Sequence, residues 1–264
     1  MDTFTQTPIT ILSSLIAVLA IFAWLYGFYK VYMSYRQTEK KQSLYFSLAL
    51  LFGGLAIIFL AMELTTLQIF LDNTLTKRGG DYVGTTVPIL NMNSADLGAY
   101  FSYIAVIMSA VAILMFDSFS MSFFENKMKY LIIPILLVLA YVGLYFYPNI
   151  PGIQLNKSGT DFNPYHTPET DALLVALFIL PVFFPAIIFF ISAIQTRGNK
   201  YNFRRSFVLA LLSIMLGIGY TIEIVGGEAY LSVIGRIFIL LYPYLTWSVL
   251  QSSKYVRKIL GAPS

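Results

Sequence analysis

Three charged residues, Glu63, Glu223 and Arg236, lie inside long apolar stretches of the sequence. In such surroundings a carboxylate or a guanidinium group can form an ion pair, bind an ion, carry a proton or hold the polar part of a ligand. A charge at the centre of a membrane helix costs roughly 2.5 to 3.5 kcal/mol on insertion scales, so it normally finds a partner. We therefore expect Arg236 to pair with Glu223 or Glu63. There are two alternatives to a functional ion pair. The pair only holds two helices together, or the charges are solvated at the membrane rim.

Tyrosines accompany these charges. Tyr100 and Tyr103 belong to the third apolar stretch, and Tyr220 precedes Glu223 by about one helical turn. An apolar pocket with a few convergent polar groups is the usual form of a small-molecule site. The sequence thus predicts a ligand or ion-pair site formed by Glu63, Glu223, Arg236, Tyr100, Tyr103 and Tyr220. A fourth charge, Asp117, falls at the inner edge of the third stretch.

The residue types alone argue against several cofactors. The chain has no cysteine, which removes thiolate metal sites and iron–sulfur clusters. Its single histidine, His166, lies in a polar connection, so a histidine-ligated haem within the membrane is not expected. Covalent retinal needs a lysine inside a helix, whereas Lys254 follows the last apolar stretch. We expect no cofactor, although a bound lipid or carotenoid is compatible with the sequence.

The sequence contains no recognisable catalytic arrangement. Neither paired carboxylates nor serine–histidine or metal-ligand spacings occur within the apolar stretches, so we expect no catalytic residue, no metal site and no enzyme activity. The net charge of +4 does not indicate nucleic-acid binding, because the basic residues are spread over the short connections between apolar stretches.

The elements that must position these residues are membrane helices. The 264 residues are 58% hydrophobic and 11% charged, a composition typical of membrane proteins. Each apolar stretch is near or above the roughly 20 residues that an α-helix needs to cross the hydrocarbon. We predict an all-α, single-domain transmembrane bundle over 1–264. Its seven helices are expected at about 9–34, 43–71, 97–116, 130–149, 172–195, 206–226 and 229–252.

The basic residues predict the orientation of this bundle. Of the 17 lysines and arginines, Arg236 lies within a helix and only Lys77, Arg78 and Lys157 fall on one side, leaving thirteen on the other. Cytoplasmic connections are enriched in Lys and Arg. We therefore expect a multi-pass protein of the cell membrane with its N-terminus outside and its C-terminus in the cytoplasm.

Two long connections, at about 72–96 and 150–171, are expected on the outer side. In the first, Arg78-Gly79-Gly80-Asp81 precedes a stretch rich in β-branched residues and should form a small hairpin cap. Connections of this length are uncommon unless they are functional or disordered. They are candidates for a lid or a partner surface, or they simply connect helices.

Small residues predict where the helices pack. Gly98, Ser102, Ala105, Ser109 and Ala112 form a narrow seam on the third helix, which we expect to be central. Ala210, Ser213 and Gly217 form a shorter packing stripe on the sixth. Prolines inside helices free carbonyl groups and can kink the chain. Candidate hinges are Pro181, Pro185 and Pro243.

The chain resembles the seven-transmembrane sensor region at the N-terminus of many prokaryotic histidine kinases. The resemblance is carried by the predicted topology, Ala61-Met62-Glu63-Leu64, Arg204-Arg205 and the basic exit Lys254-Tyr255-Val256-Arg257-Lys258. It implies a receptor-like domain. Such regions usually lead into a signalling domain, whereas only residues 253–264 follow the seventh predicted helix here.

Three functions are left open by these features. The first is a stand-alone receptor-like sensor with a ligand site in the outer half of the bundle, signalling to a separate cytoplasmic partner. The second is a small-solute or proton-coupled transporter that uses Glu63, Glu223 and Arg236. The third is a structural or accessory subunit of a membrane complex. The lipid bilayer is a partner in all three.

Overall fold

A computed structural model describes residues 8–70, 76–78, 81–83, 86–87, 92–124, 128–145, 153–155, 162–164, 168–225, 229–251 and 259–260. Within this part the chain forms seven α-helices, which confirms the predicted helical bundle. They are α1 (Pro8–Thr38), α2 (Lys41–Phe70), α3 (Ser94–Met121), α4 (Ile132–Tyr145), α5 (Pro168–Gln195), α6 (Lys200–Val225) and α7 (Ala229–Gln251).

Six of these helices are long and apolar enough to cross a membrane. The chain is therefore a multi-pass membrane protein. The remaining helix, α4, follows a short 3-10 helix at Met128–Leu131 and belongs to an apolar helical stretch of 16 residues, Lys129–Leu144. By length alone this stretch falls short of the six others, so the seventh crossing stays a prediction.

Short strands occur only in the connections of the described chain. β1 (Thr76–Arg78) pairs with β2 (Asp81–Val83), and Arg78 lies opposite Asp81, which confirms the hairpin predicted at this point. Two further antiparallel pairs are β3 (Thr86–Val87) with β4 (Met92–Asn93) and β5 (Ile153–Leu155) with β6 (Phe162–Pro164). Because β2 also contacts β5, the two long connections meet at the same end of the bundle.

Six helices form a closed ring. Going round it, α1 packs against α2, α2 against α3, α3 against α5, α5 against α6, α6 against α7, and α7 against α1. The shorter α4 packs on α3 and α5. Its outward side chains, among them Leu136 and Leu139, are exposed, as expected for a helix that faces lipid. The ring places the first and last helices side by side.

Trp24 of α1 fills the middle of the ring. Its side chain is fully buried and contacts Phe116 of α3 edge-on and Tyr242 of α7 face-on, with ring centroids 6.1 and 6.3 Å away. The indole lies directly on Gly53 of α2, where a Cβ atom would come within 2.1 Å of the ring. The absence of a side chain at Gly53 is thus what allows α2 to approach α1.

Small residues hold several helices close together. Of the predicted seam on α3, Ala105 and Ala112 are buried and Ser109 is half-buried, while the burial of Gly98 and Ser102 lies outside the described part. Among the six long helices, α3 is the most enclosed. The backbones of α6 and α7 approach closely at Gly219 and Gly235, where a Cβ atom on either would lie 3.0 Å from the other's carbonyl oxygen.

Candidate functional site

The predicted charged site is only partly described. Glu63 lies in α2 and Glu223 in α6, but both side chains fall outside the described residues. Arg236 lies in α7 and is half-buried. The ion pair expected between Arg236 and one of the two glutamates therefore stays a prediction.

The three predicted tyrosines separate into two groups. Tyr100 is 54% exposed, and its ring meets that of the half-buried Tyr103 edge-on, at 6.5 Å between centroids. Tyr220 packs instead against Phe178 of α5, with centroids 6.0 Å apart, and reaches the centre of the ring of helices. Tyr103 and Tyr220 flank the same apolar cluster between α3, α4 and α5. Of these tyrosines, Tyr220 borders a cavity at the centre of the ring.

This cavity lies between α3, α5, α6 and α7. The space open to the centre of a water molecule is about 20 Å³, and a single water needs roughly 10 to 15 Å³. The cavity therefore has room for one water molecule or one small ion. Its walls are formed by Ala112, Ile113, Phe116, Asp117, Pro181, Val182, Pro185, Ser213, Leu216, Tyr220 and Tyr242.

Asp117 is the charged residue of this cavity. It lies one turn before the end of α3 at Met121, and its side chain is fully buried. Neither carboxylate oxygen has a hydrogen-bond partner among the described residues. Every residue from Phe116 to Met121 is buried, so the end of α3 is enclosed by the other helices. The carboxyl group thus lies inside the bundle, and α3 continues five residues past its predicted end at 116.

Hydroxyl groups surround the same position. Tyr242 of α7 is buried beside Ser213 of α6 and Thr246 of α7. The Ser213 hydroxyl donates to the Leu209 carbonyl at 2.9 Å. The Thr246 hydroxyl is buried and has no hydrogen bond of ordinary geometry, even though the Tyr242 hydroxyl is close. Ser213 lies midway along α6, so these groups lie at mid-depth of that helix.

The prolines predicted as hinges border this region. Pro181 and Pro185 of α5 line the cavity. Because proline has no N–H, the carbonyls four residues earlier, those of Leu177 and Pro181, lose their helical donor. Pro243 of α7 does the same to the carbonyl of Ile239, which accepts a hydrogen bond of 2.9 Å from the Trp24 indole instead. The helices on either side of the cavity therefore have interrupted backbone hydrogen bonding.

Further polar atoms that lack hydrogen-bond partners lie along the contact of α6 and α7, beginning at the cavity. Arg205 donates from one terminal nitrogen to the Leu250 carbonyl at 3.3 Å, while its Nε is buried without a partner. Thr246 lies one helical turn from Leu250 and one turn from Tyr242. Among the described side chains, the buried polar atoms without partners belong to Asp117, Arg205 and Thr246. We call the set Arg205, Thr246, Ser213, Tyr242 and Asp117 the polar row.

The polar row was missed at the level of sequence for an identifiable reason. We had ended the third helix at 116, just before Asp117. However, the residues that follow carry no charge until Glu125, and they continue the helix to Met121. An uncharged stretch on both sides of Asp117 was the available signal. The sequence contains no such signal for Trp24 or Thr246, and it predicts Ser213 only as a packing residue.

The cavity offers oxygen ligands. Its lining residues include one carboxyl group, that of Asp117, and the hydroxyl-bearing side chains of Ser213, Tyr220 and Tyr242. Such a set suits a proton, a water molecule or a hard cation better than a soft metal ion. No group of three or more histidine, cysteine, aspartate or glutamate side chains that could hold a metal occurs within the described part of the chain.

The membrane-helical bundle is compatible with the resemblance to prokaryotic sensor regions at the level of architecture. Comparison with known proteins adds no family to it: no family model, no curated protein and no solved structure matches this chain.

Proposed function

We propose that this protein is a receptor-like membrane switch, in which the occupancy of the central cavity sets the arrangement of α5 and α7. The observation that carries the proposal is that the cavity is bordered by proline-interrupted helices. Pro181 and Pro185 line it directly, and Pro243 follows Tyr242, another lining residue. A helix that lacks a hydrogen bond can change its local geometry at lower cost than an intact one.

Packing around the cavity supports the same conclusion. One apolar cluster surrounds Trp24 and draws on most of the ring, whereas a smaller one joins α3, α4 and α5 around Tyr141 and Phe178. The cavity is lined by members of both, and Tyr220 packs against both. Interiors are normally close-packed. A void at the junction of two well-packed clusters is therefore a place where one can shift against the other.

A switch needs an output. The turn between α5 and α6 is exposed and basic, with Arg197, Lys200 and Arg204. If the predicted orientation holds, this turn lies in the cytoplasm and moves with the end of α5. A ligand can shift the balance of two arrangements only through its different affinity for each. We therefore place the output at this basic turn and its receiver in a separate acidic partner protein.

The test is a distance measurement in lipid nanodiscs. Because the chain has no cysteine, spin labels can be attached at Gln195→Cys and Gln251→Cys, two exposed positions at the ends of α5 and α7, the helices on either side of α6. Double electron–electron resonance should show two distance populations. Filling the cavity with Ala112→Leu should leave one of them.

The matched control pair is Thr38→Cys with Lys129→Cys, two exposed positions at the end of α1 and before α4, which involves neither α5 nor α7. This pair should give one population in both backgrounds. A single α5–α7 distance that the cavity-filling variant leaves unchanged would overturn the proposal.

A second candidate function, a cation-coupled carrier, is favoured by the polar row. Its unpartnered atoms extend from the cavity to Arg205 near one end of α6, as one half of a translocation path would. Proteoliposomes loaded with a pH-sensitive dye test it. Proton flux driven by an imposed gradient, and abolished in Asp117→Asn, supports a carrier, whereas a rate equal to that of empty liposomes excludes proton transport.

A further inference from the structure

We infer that Asp117 and the oxygen atoms around it bind one monovalent cation, either a proton or a sodium ion, and that this cation is the ligand of the switch. The role of the cation as ligand rests on the proposed function, but the evidence for the cation site is independent of it. It depends on the burial of Asp117, its lack of partners, the size of the cavity and the chemistry of the lining atoms.

Three effects act against a bare carboxylate at this position. The side chain is fully buried, so an ionised group would lose its hydration. Neither oxygen accepts a hydrogen bond from any described residue. Asp117 also lies one turn before the end of α3, toward the negative end of the helix dipole. A negative charge there needs a positive one beside it.

No described basic side chain lines the cavity to supply that charge. The other titratable groups facing Asp117 are Tyr220 from α6 and Tyr242 from α7, while α5 contributes only Pro181, Val182 and Pro185, and α1 contributes Trp24 through its contact with Phe116.

The basic residues on the elements that pack around α3 and the cavity lie elsewhere. Lys41 of α2, Lys129 before α4 and Arg204 of α6 are exposed, and Arg205 bonds the Leu250 carbonyl. Arg236 lies on the other side of Tyr242 from Leu250 along α7 and does not line the cavity. Among the described residues, none therefore supplies the positive charge beside Asp117, and we infer that a cation from solution does so.

The cavity fits a small cation in size and chemistry. About 20 Å³ admits one water-sized particle and excludes an organic ligand. The lining residues Asp117, Ser213 and Tyr242 carry oxygen atoms, the ligand type that hard cations prefer. Thr246 extends this set along α7, and Arg205 joins the ends of α6 and α7 beyond it.

The experiment measures thermal unfolding of the purified protein in nanodiscs, in sodium chloride and in choline chloride at equal ionic strength. If the ligand is sodium, the unfolding temperature should rise with sodium concentration and choline should have no such effect. Asp117→Asn should abolish the rise. Glu39→Gln, which removes an exposed carboxyl group in the α1–α2 turn, should leave it unchanged.

Infrared spectroscopy tests the alternative that the ligand is a proton. If the ligand is a proton, sodium has no specific effect, and the spectrum contains the carbonyl band of a protonated carboxyl group in an apolar environment. That band should be absent in Asp117→Asn and present in Glu39→Gln. In case Asp117→Asn fails to fold, Tyr242→Phe and Ser213→Ala provide the second test, since each should weaken the sodium response or shift the band.

Each outcome has a definite meaning. A sodium response or a protonated carboxyl band that depends on Asp117 supports the cation site, and the absence of both overturns it. The spin-label distances report on the switch separately. Cation binding without any change in the α5–α7 distance would preserve the cation site and reject the switch. Two distance populations that change with neither sodium nor Asp117→Asn would preserve the switch and reject the cation as its ligand.

Discussion

The indole nitrogen of Trp24 in the first helix donates a hydrogen bond of 2.9 Å to the carbonyl oxygen of Ile239 in the last. That carbonyl would bond the N–H four residues on in a regular helix, but residue 243 is proline. Trp24 thus supplies the donor that Pro243 cannot. The backbone interruption in α7 and the tryptophan in α1 form one structural unit.

We expect Trp24→Phe to lower the stability by about 1 to 3 kcal/mol, because it leaves a buried carbonyl unpaired. Thermal unfolding in nanodiscs measures the change. The decisive variant is Pro243→Ala, which restores the helical N–H. In that background Trp24→Phe should cost clearly less, since the alanine N–H can bond the Ile239 carbonyl. Equal costs in both backgrounds would show that Trp24 stabilises only by packing.

Two glycine substitutions form a matched pair. Gly53→Ala should destabilise the protein by about 1 to 3 kcal/mol, because the new Cβ atom would lie 2.1 Å from the Trp24 ring and the helices would have to separate. Gly143→Ala in α4 meets nothing within 4 Å and should be neutral or stabilising, by up to about 1 kcal/mol from helix propensity. Unfolding temperatures that rank the two variants in the opposite order would contradict the described contact of α1 with α2.

Thr246 and Thr221 provide a second pair. Thr221 donates to the Gly217 carbonyl at 2.8 Å, whereas the buried Thr246 hydroxyl has no partner. Thr221→Val should therefore lower stability by roughly 0.5 to 1.5 kcal/mol, and Thr246→Val should leave it unchanged or raise it. If the polar row is functional, Thr246→Val should still impair the cation response. A stable variant with a normal response would remove Thr246 from the row.

The predicted orientation can be tested by labelling single cysteines with a membrane-impermeant maleimide. Ile153→Cys in β5 should react on intact cells, whereas Thr38→Cys after α1 and Lys129→Cys before α4 should react only after the cells are permeabilised. The cysteine-free parent controls for background labelling. Lys129 and Ile153 on the same side would mean that α4 does not cross the membrane, and a complete reversal would place the N-terminus inside.

Helix lengths and positions could be read from the sequence because they follow from hydropathy and charge. The six long spans were predicted in this way, and the hairpin at Arg78 and Asp81 was predicted from its glycine pair and the β-branched residues after it. Which face of a helix points inward is harder, since a membrane helix can be apolar all round. In α1 nothing distinguishes the fully buried Trp24 from Phe22, which is 67% exposed.

The central site required tertiary information for the same reason. Asp117 was visible as an isolated charge, but its depth depends on how far α5, α6 and α7 extend past the end of α3. Pro185 lies ten residues, or about 15 Å, before the end of α5, whereas Asp117 lies four residues before the end of α3. The offset between these helices buries the carboxyl group, and no local pattern encodes that offset.

The pairing of the first helix with the last has a consequence for biosynthesis. Trp24 and Ile239 are 215 residues apart, and ribosomes add about 5 to 20 residues per second. The indole N–H of α1 is therefore synthesised about 10 to 40 s before its carbonyl partner. Until α7 inserts, the ring is open, and the faces of α1 and α2 that will meet α7 are available to lipid, to chaperones or to another nascent chain. Closure of the ring must be a late, post-insertion event, and the last helix decides whether assembly is completed.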